Sequence, residues 1–290
     1  MKKFCLYYTV FCITAFFLSA YIVPLSLRKN YRETIPGAEI YRSIDKSKKR
    51  IKKKKLIIGD STANQFFDNR EDNDSICSLA CNQAIGMCGH FFLLNNYIKA
   101  GNRPEEVYMI YNAYYCFANN LNQVYTYHYF LKPFYNDEYK PLMTPEIFSQ
   151  VRKIPYHTLC QIPAVLTSSW APAYPTEESD YTFMSPISRE YLRKIDSLSC
   201  QYNFRLYIVP SFMDEKERQR VASFDANEFK DEPYADKMTI FLNQISYMNS
   251  SRFSDGLHLT PSMVKRYKPL LEEKMEDVKN EYIHHHIYKE

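Results

Sequence analysis

Apolar positions fall into three regimes along the chain. From Phe4 to Leu27 they are nearly continuous and no charged residue interrupts them. From Arg28 onward charge dominates, ending in the basic run Lys46 to Lys55. Beyond Lys55, short apolar runs alternate with stretches of helical period. Leu56–Ile58 predicts a short buried strand ending at Gly59-Asp60-Ser61, and Cys77–Cys81 a second. Phe91–Ala100 predicts a helix stopped by Gly101, and Glu106–Tyr111 a third strand ending at Asn112. Ser188–Tyr202 places Tyr191, Leu192, Ile195 and Leu198 on one helical face. Phe204–Val209 predicts a fourth strand closed by Pro210, Ala235–Gln244 a helix, and Ile245–Met248 a weak fifth strand. A closing helix runs from Pro261, tolerated in a first turn, to about Tyr282. Strand and helix in alternation predict an α/β fold: a three-layer αβα sandwich around a parallel sheet of roughly five strands. Such sheets hold their sites beyond the carboxyl ends of the strands. The segment at about 113–186 is too long for a plain connection. Its prolines and aromatics predict a helical insertion or lid over that edge.

Residues 1–27 have the length of a bilayer span and exceed an ordinary signal-peptide core. Leu18-Ser19-Ala20 is a poor cleavage site, because Leu stands where a small residue is preferred. An uncleaved signal anchor is therefore expected, followed by a basic linker over 28–54 and a globular domain over 55–283. A cleaved signal would export the domain equally. Lys2 and Lys3 favour a cytoplasmic N-terminus and an exported domain, whereas Arg28, Lys29 and Arg32 favour the opposite orientation. Export is the reading adopted, with a cytoplasm-facing domain as the alternative. The run Lys46 to Lys55 reads as a solvated linker or a segment lying on anionic headgroups.

Composition changes this picture little. The net charge of +4 resides in that one basic run, so no broad basic face and no nucleic-acid partner is implied. Six cysteines lie beyond the apolar segment, an even number compatible with disulfides outside the cytoplasm. Cys77, Cys81 and Cys88 lack the matching pair that a zinc site needs, and no metal is expected. His284, His285 and His286 read as a frayed tail. The 26 tyrosines and 19 phenylalanines, many of them between Tyr108 and Tyr139, read mainly as core, with an aromatic platform for sugar rings as the functional alternative.

Two short blocks carry candidate chemistry. In Gly59-Asp60-Ser61 a serine directly follows a buried strand and opens a helix, where it can stand exposed at the mouth of the sheet. Asp60 or Ser61 could equally serve as no more than a helix cap. In Asp255-Gly256-Leu257-His258-Leu259-Thr260-Pro261 the Asp and His are three apart in a turn before a helix. His258 can then act as general base to a serine while Asp255 orients its imidazole. Thr260 and Pro261 are accounted for by capping, but Asp255 and His258 are not. Gly86 follows the second strand and Asn112 the third. With the Ser61 N–H they would supply three donors for an oxyanion. Three of the six glycines, Gly59, Gly86 and Gly256, fall in these blocks. His128 and His157 belong to no such block.

The order Ser61, Gly86, Asn112, then Asp255 and His258 resembles the SGNH (GDSL-type) hydrolase superfamily. Its first block resembles Ile58-Gly59-Asp60-Ser61, its second Asn82 to Gly86, and its last Asp255 to Pro261. The likeness spans roughly residues 55 to 275. The third block departs from the usual Gly-x-Asn-Asp, reading Ile110-Tyr111-Asn112-Ala113. The resemblance implies acyl-ester chemistry without metal or cofactor. Ser61 would be the nucleophile, His258 the base and Asp255 its partner, with Ser61, Gly86 and Asn112 as oxyanion donors. Anchored members of that superfamily act on acyl groups of cell-envelope polymers. The expected substrate is therefore an acyl ester or glycan, on the outer side of a bacterial-type cytoplasmic membrane. The competing expectation is a catalytically inactive accessory or binding protein that kept the fold, with a protein partner of its own.

Overall fold

The computed structural model describes residues 1–71, 74–176 and 183–287. Residues 177–182 of the predicted insertion lie outside that set. Four strands form a parallel sheet in the order β2 (Ile76–Ser78), β1 (Lys55–Gly59), β3 (Glu106–Tyr111), β4 (Arg205–Pro210). Along each strand successive side chains alternate between two apolar clusters, as the pleat requires. Leu56, Ile58, Val107, Met109, Leu206 and Ile208 meet the helices Gly86–Lys99 and Pro186–Tyr202 on one face. Ile57, Tyr108, Ile110, Tyr207 and Val209 meet the helices Ser61–Phe66 and Pro261–Ile287 on the other. The strands are covered on both faces, which is why they read as unbroken apolar runs.

The predicted fifth strand does not join this sheet. Ser246–Met248 (β6) pairs instead with Phe212–Asp214 (β5), a strand the sequence reading did not find, in a separate parallel ladder. The reason lies at Pro210. Arg205 N–H donates to Glu105 and Ser211 N–H to Tyr111, so the odd-numbered residues of β4 address β3. The even-numbered ones address the open side, and there Pro210 has no N–H to give. Pairing on that side resumes only past it.

The expected linker is also corrected. Within 28–54, Ala38–Ser47 is a helix whose Ile40, Tyr41, Ser43, Ile44 and Ser47 are buried. It packs on the Gly86–Lys99 helix. Its charged residues hid a narrow apolar stripe at positions i, i+1 and i+4. The coil after it is fastened by Asn102, which accepts from Ile51 and Lys52 N–H and donates to Lys49 O. The closing helix runs on to Ile287, through the three histidines read as a tail. All eight cysteines are free thiols, five of them buried, so the disulfides allowed by their even number are not formed.

At the N-terminus, Lys2–Leu27 is a helix long and apolar enough to cross a membrane. It opens into a π turn at Leu18–Ile22 just before Pro24, whose ring cannot accommodate the normal helical bond. The segment between β3 and the Pro186–Tyr202 helix is a set of short helices, Pro145–Lys153 being the longest. Its Phe130, Phe134 and Tyr139 rings pack around Phe92 at 5.4–6.3 Å, so much of the aromatic content is core.

Candidate active site

β1 ends at Gly59, where the backbone is so close to β3 that an added Cβ would lie 2.3 Å from Ile110 O and 2.5 Å from the Ala63 Cβ. Glycine lets the chain turn there directly into the Ser61–Phe66 helix. Asp60 caps that helix, accepting from Thr62 N–H at 2.9 Å and Ala63 N–H at 3.3 Å. Its second oxygen accepts from Asn112 N–H at 2.7 Å, tying the end of β1 to the end of β3. Burial pushes the Asp60 carboxyl up, against the pull of its hydrogen bonds to Thr62 and Asn112. With capping assigned to Asp60, the Ser61 hydroxyl is free for another partner.

That partner comes from 197 residues away: His258 Nε2 lies 2.7 Å from Ser61 Oγ, and His258 Nδ1 lies 2.7 Å from Asp255 Oδ2. The turn that presents them is tightly wound. Asp255 Oδ1 accepts from Leu257 and His258 N–H at 3.0 and 2.7 Å, Gly256 takes φ +82°, and Phe253 bridges Leu259. Burial would raise the Asp255 carboxyl, but the His258 and Leu257 donors outweigh it and hold it at about 2. An ionised Asp255 requires the proton on Nδ1. Nε2 is then an acceptor for the Ser61 hydroxyl, the arrangement a general base needs. Gln65, one helical turn beyond Ser61, fixes the turn to the helix. It donates to Leu259 O at 3.1 Å and accepts from Leu259 N–H at 3.2 Å.

The three residues open onto a cleft of about 500 Å³ lined also by Asn82, Gln83, Tyr115, Gln123, Tyr125, Tyr129, Thr176 and Leu257. Five of these, Tyr115, Gln123, Tyr125, Tyr129 and Thr176, come from the insertion, which therefore forms one wall. Gln83 donates to Gln123 at 3.1 Å and Asn119 donates to Gln83 O at 2.8 Å, joining that wall to the loop after β2.

The other expected donors are placed differently. Gly86 takes φ +63°, and its N–H donates to Gln83 O as the cap of a short helix. Asn112 is buried, its Oδ1 accepts from Tyr114 N–H, and among the described residues its Nδ2 has no partner. Neither residue lines the cleft, and neither do His128 or His157. Gln65 was within reach of sequence reasoning, since i and i+4 share a helical face. Asn82 and Gln83 lie in the Asn82–Gly86 block and the insertion was expected over this edge, but which of their side chains line the cleft is set by the tertiary fold alone.

No protein-family model and no curated protein matches the chain. Among solved structures, one described as "a putative platelet activating factor from Streptococcus pneumonia" is similar at a TM-score of 0.37 and 10% identity, over 89% of this chain and 99% of that one. A likeness at that level is too distant to bear on fold or function.

Proposed function

We propose that this chain is a membrane-anchored serine esterase or O-acyltransferase of the SGNH type, a three-layer αβα protein exported to act on acyl groups of an envelope glycan. The observation that carries the reading is the relay Ser61–His258–Asp255, with both contacts at 2.7 Å and the Ser61–His258 contact made across 197 residues of chain. Ser61 Oγ attacks the acyl carbonyl as its proton passes to His258 Nε2, and Asp255 stabilises the imidazolium. The tetrahedral intermediate collapses to an acyl-serine and expels the alcohol, which takes the proton from His258. Water or a sugar hydroxyl then attacks the acyl-serine with His258 again as base, giving hydrolysis or transfer. The Ser61 N–H would hold the oxyanion, and Asn112 Nδ2, outside the cleft lining, could join only by moving toward it. Gly86 could join only by releasing Gln83 O. Tyrosine faces beside Asn82, Gln83 and Gln123 give the cleft the mixture of apolar planes and amide groups that suits a sugar ring. The apolar Lys2–Leu27 helix supplies the anchor.

The bound Gly86 N–H and the absence of Gly86 and Asn112 from the cleft lining favour a second reading, an inactive accessory protein that binds the glycan. Labelling the full chain with a fluorophosphonate, beside Ser61→Ala, separates the two. One adduct by intact mass, absent from the variant, is expected of the enzyme. A folded chain that takes no adduct is the accessory protein.

A further inference from the structure

Outside the N-terminal helix, the large hydrophobic side chains that stand exposed among the described residues are Val124, Tyr125, Tyr156, Leu159, Trp170 and Leu270. All but Leu270 belong to the insertion. An exposed apolar cluster of this kind marks a surface meant to be covered.

Its position says by what. The insertion's Pro163–Leu166 turn packs against the N-terminal helix at Leu18–Ile22 and Val23–Leu27. Arg28 then donates to Thr167 O at 2.6 Å, clamping the exit of the helix to the same turn. A helix of 26 residues is about 39 Å long, about 9 Å more than the ~30 Å hydrocarbon layer. That surplus is roughly six residues at 1.5 Å each. With Lys2 and Lys3 among the headgroups of one leaflet, the helix leaves the hydrocarbon of the other near Tyr21 to Leu27. This is the stretch the insertion touches. Trp170 and Tyr156 flank that contact in sequence, and their rings lie 6.2 Å apart. Trp and Tyr favour this depth, because their rings are apolar and their N–H and O–H groups stay wet.

We propose that the insertion face carrying Tyr156, Leu159 and Trp170 docks into the headgroup layer of the bilayer that the N-terminal helix spans. The proposal rests on the membrane-anchor part of the reading above and is independent of its chemistry. Docking also reaches the cleft. Trp170 meets Tyr127 edge-on at 5.7 Å, and the Tyr127 hydroxyl donates to Tyr156 O at 3.2 Å. On either side of Tyr127 in sequence, Tyr125 and Tyr129 line the cleft. The buried Tyr127 ring thus stands between the Trp170 and Tyr156 side and the segment that lines the cleft, and docking brings the cleft to the membrane surface.

Trp170 is the single tryptophan of the chain, so its emission reports on this face alone. The full chain is reconstituted in nanodiscs of lipid brominated in the upper acyl chain, and in unbrominated discs titrated with iodide. The expected result is loss of Trp170 emission in the brominated discs, with little quenching by iodide. Iodide quenching without bromolipid quenching, in a chain that co-elutes with the discs, overturns docking and leaves the anchor standing. Protection from both quenchers means that protein covers the face, which also overturns the proposal. A chain that does not co-elute with lipid removes the anchor itself.

Discussion

At the scale of single residues, the site depends on a division of labour that the Gly59-Asp60-Ser61 block shows only in part. Asp60 is buried and spent on capping, which releases Ser61 to meet His258. Asp255, by contrast, is half-exposed and held at about 2 by the donors of its own turn. Its folded value lies below the ordinary 3.8, so its contribution to stability is complete above that value and is lost as pH falls toward about 2. At any working pH it is ionised, and it fixes the tautomer of His258. Under the proposed chemistry, Asp255→Asn leaves an uncharged partner that no longer requires the Nδ1 proton. Turnover of p-nitrophenyl acetate should fall by about 10²–10⁴-fold. The thermal midpoint of the variant should also vary less between pH 4 and pH 2 than that of the parent. Undiminished turnover would show that the Asp255–His258 contact serves only to wind the loop.

At the scale of elements, legibility followed the environment of each segment. β1, β3 and β4 are covered on both faces, so their apolar runs stood out and were placed to within a residue or so. β5 and β6 have three residues each: β5 was too short to stand out, and β6 was read as a strand at Ile245–Met248 but placed in the wrong sheet. The Gly86–Lys99 helix began five residues before its predicted start, because Gly86 and Gly89 disguised its first turn. Close packing explains Gly89: a Cβ there would lie 2.6 Å from that of Ile85. The pairing of the Ser61 helix with the His258 turn was legible only as two motifs, whereas the two are joined, besides the Ser61–His258 contact, by the bonds of Gln65. Gln65→Leu keeps the volume and leaves Leu259 N–H and C=O without their partner, a loss of about 1–3 kcal/mol in the placement of the turn. The expected result is a lower kcat for the model ester with KM and circular dichroism unchanged. A kcat equal to that of the parent would mean that the Phe253–Leu259 bridge holds the turn unaided.

At the scale of the molecule, the boundary between the N-terminal apolar helix and the globular domain lies elsewhere than charge suggests. Counting Lys and Arg places residues 28–54 outside the domain, because solvated charges outnumber apolar side chains there. Packing places their middle inside it. Ile40 is fully buried, Tyr41 and Ile44 are each 4% exposed, and Asn69 donates to Glu39 O and Ser43 Oγ from the far side of β1. Burying a side chain of this size is worth about 1.5–3 kcal/mol, and a domain is stable by only about 5–15 kcal/mol in all. Three such side chains therefore amount to a large part of what keeps the fold together. A chain beginning at Asn30 should lose its membrane span yet melt cooperatively. One beginning at Lys53 keeps every strand and the Ser61, His258 and Asp255 side chains, but it exposes the apolar surface of the Gly86–Lys99 helix that Ile40 and Ile44 covered. It should melt at a markedly lower temperature than the chain from Asn30, and take less fluorophosphonate. The comparison is read by differential scanning calorimetry of the two soluble chains. Equal midpoints would make the Ala38–Ser47 helix an appendage and restore the linker. A difference of ten degrees or more, roughly what a few kcal/mol shifts the midpoint in a domain of this size, would make it part of the core that holds β1, and with β1 the serine, in place.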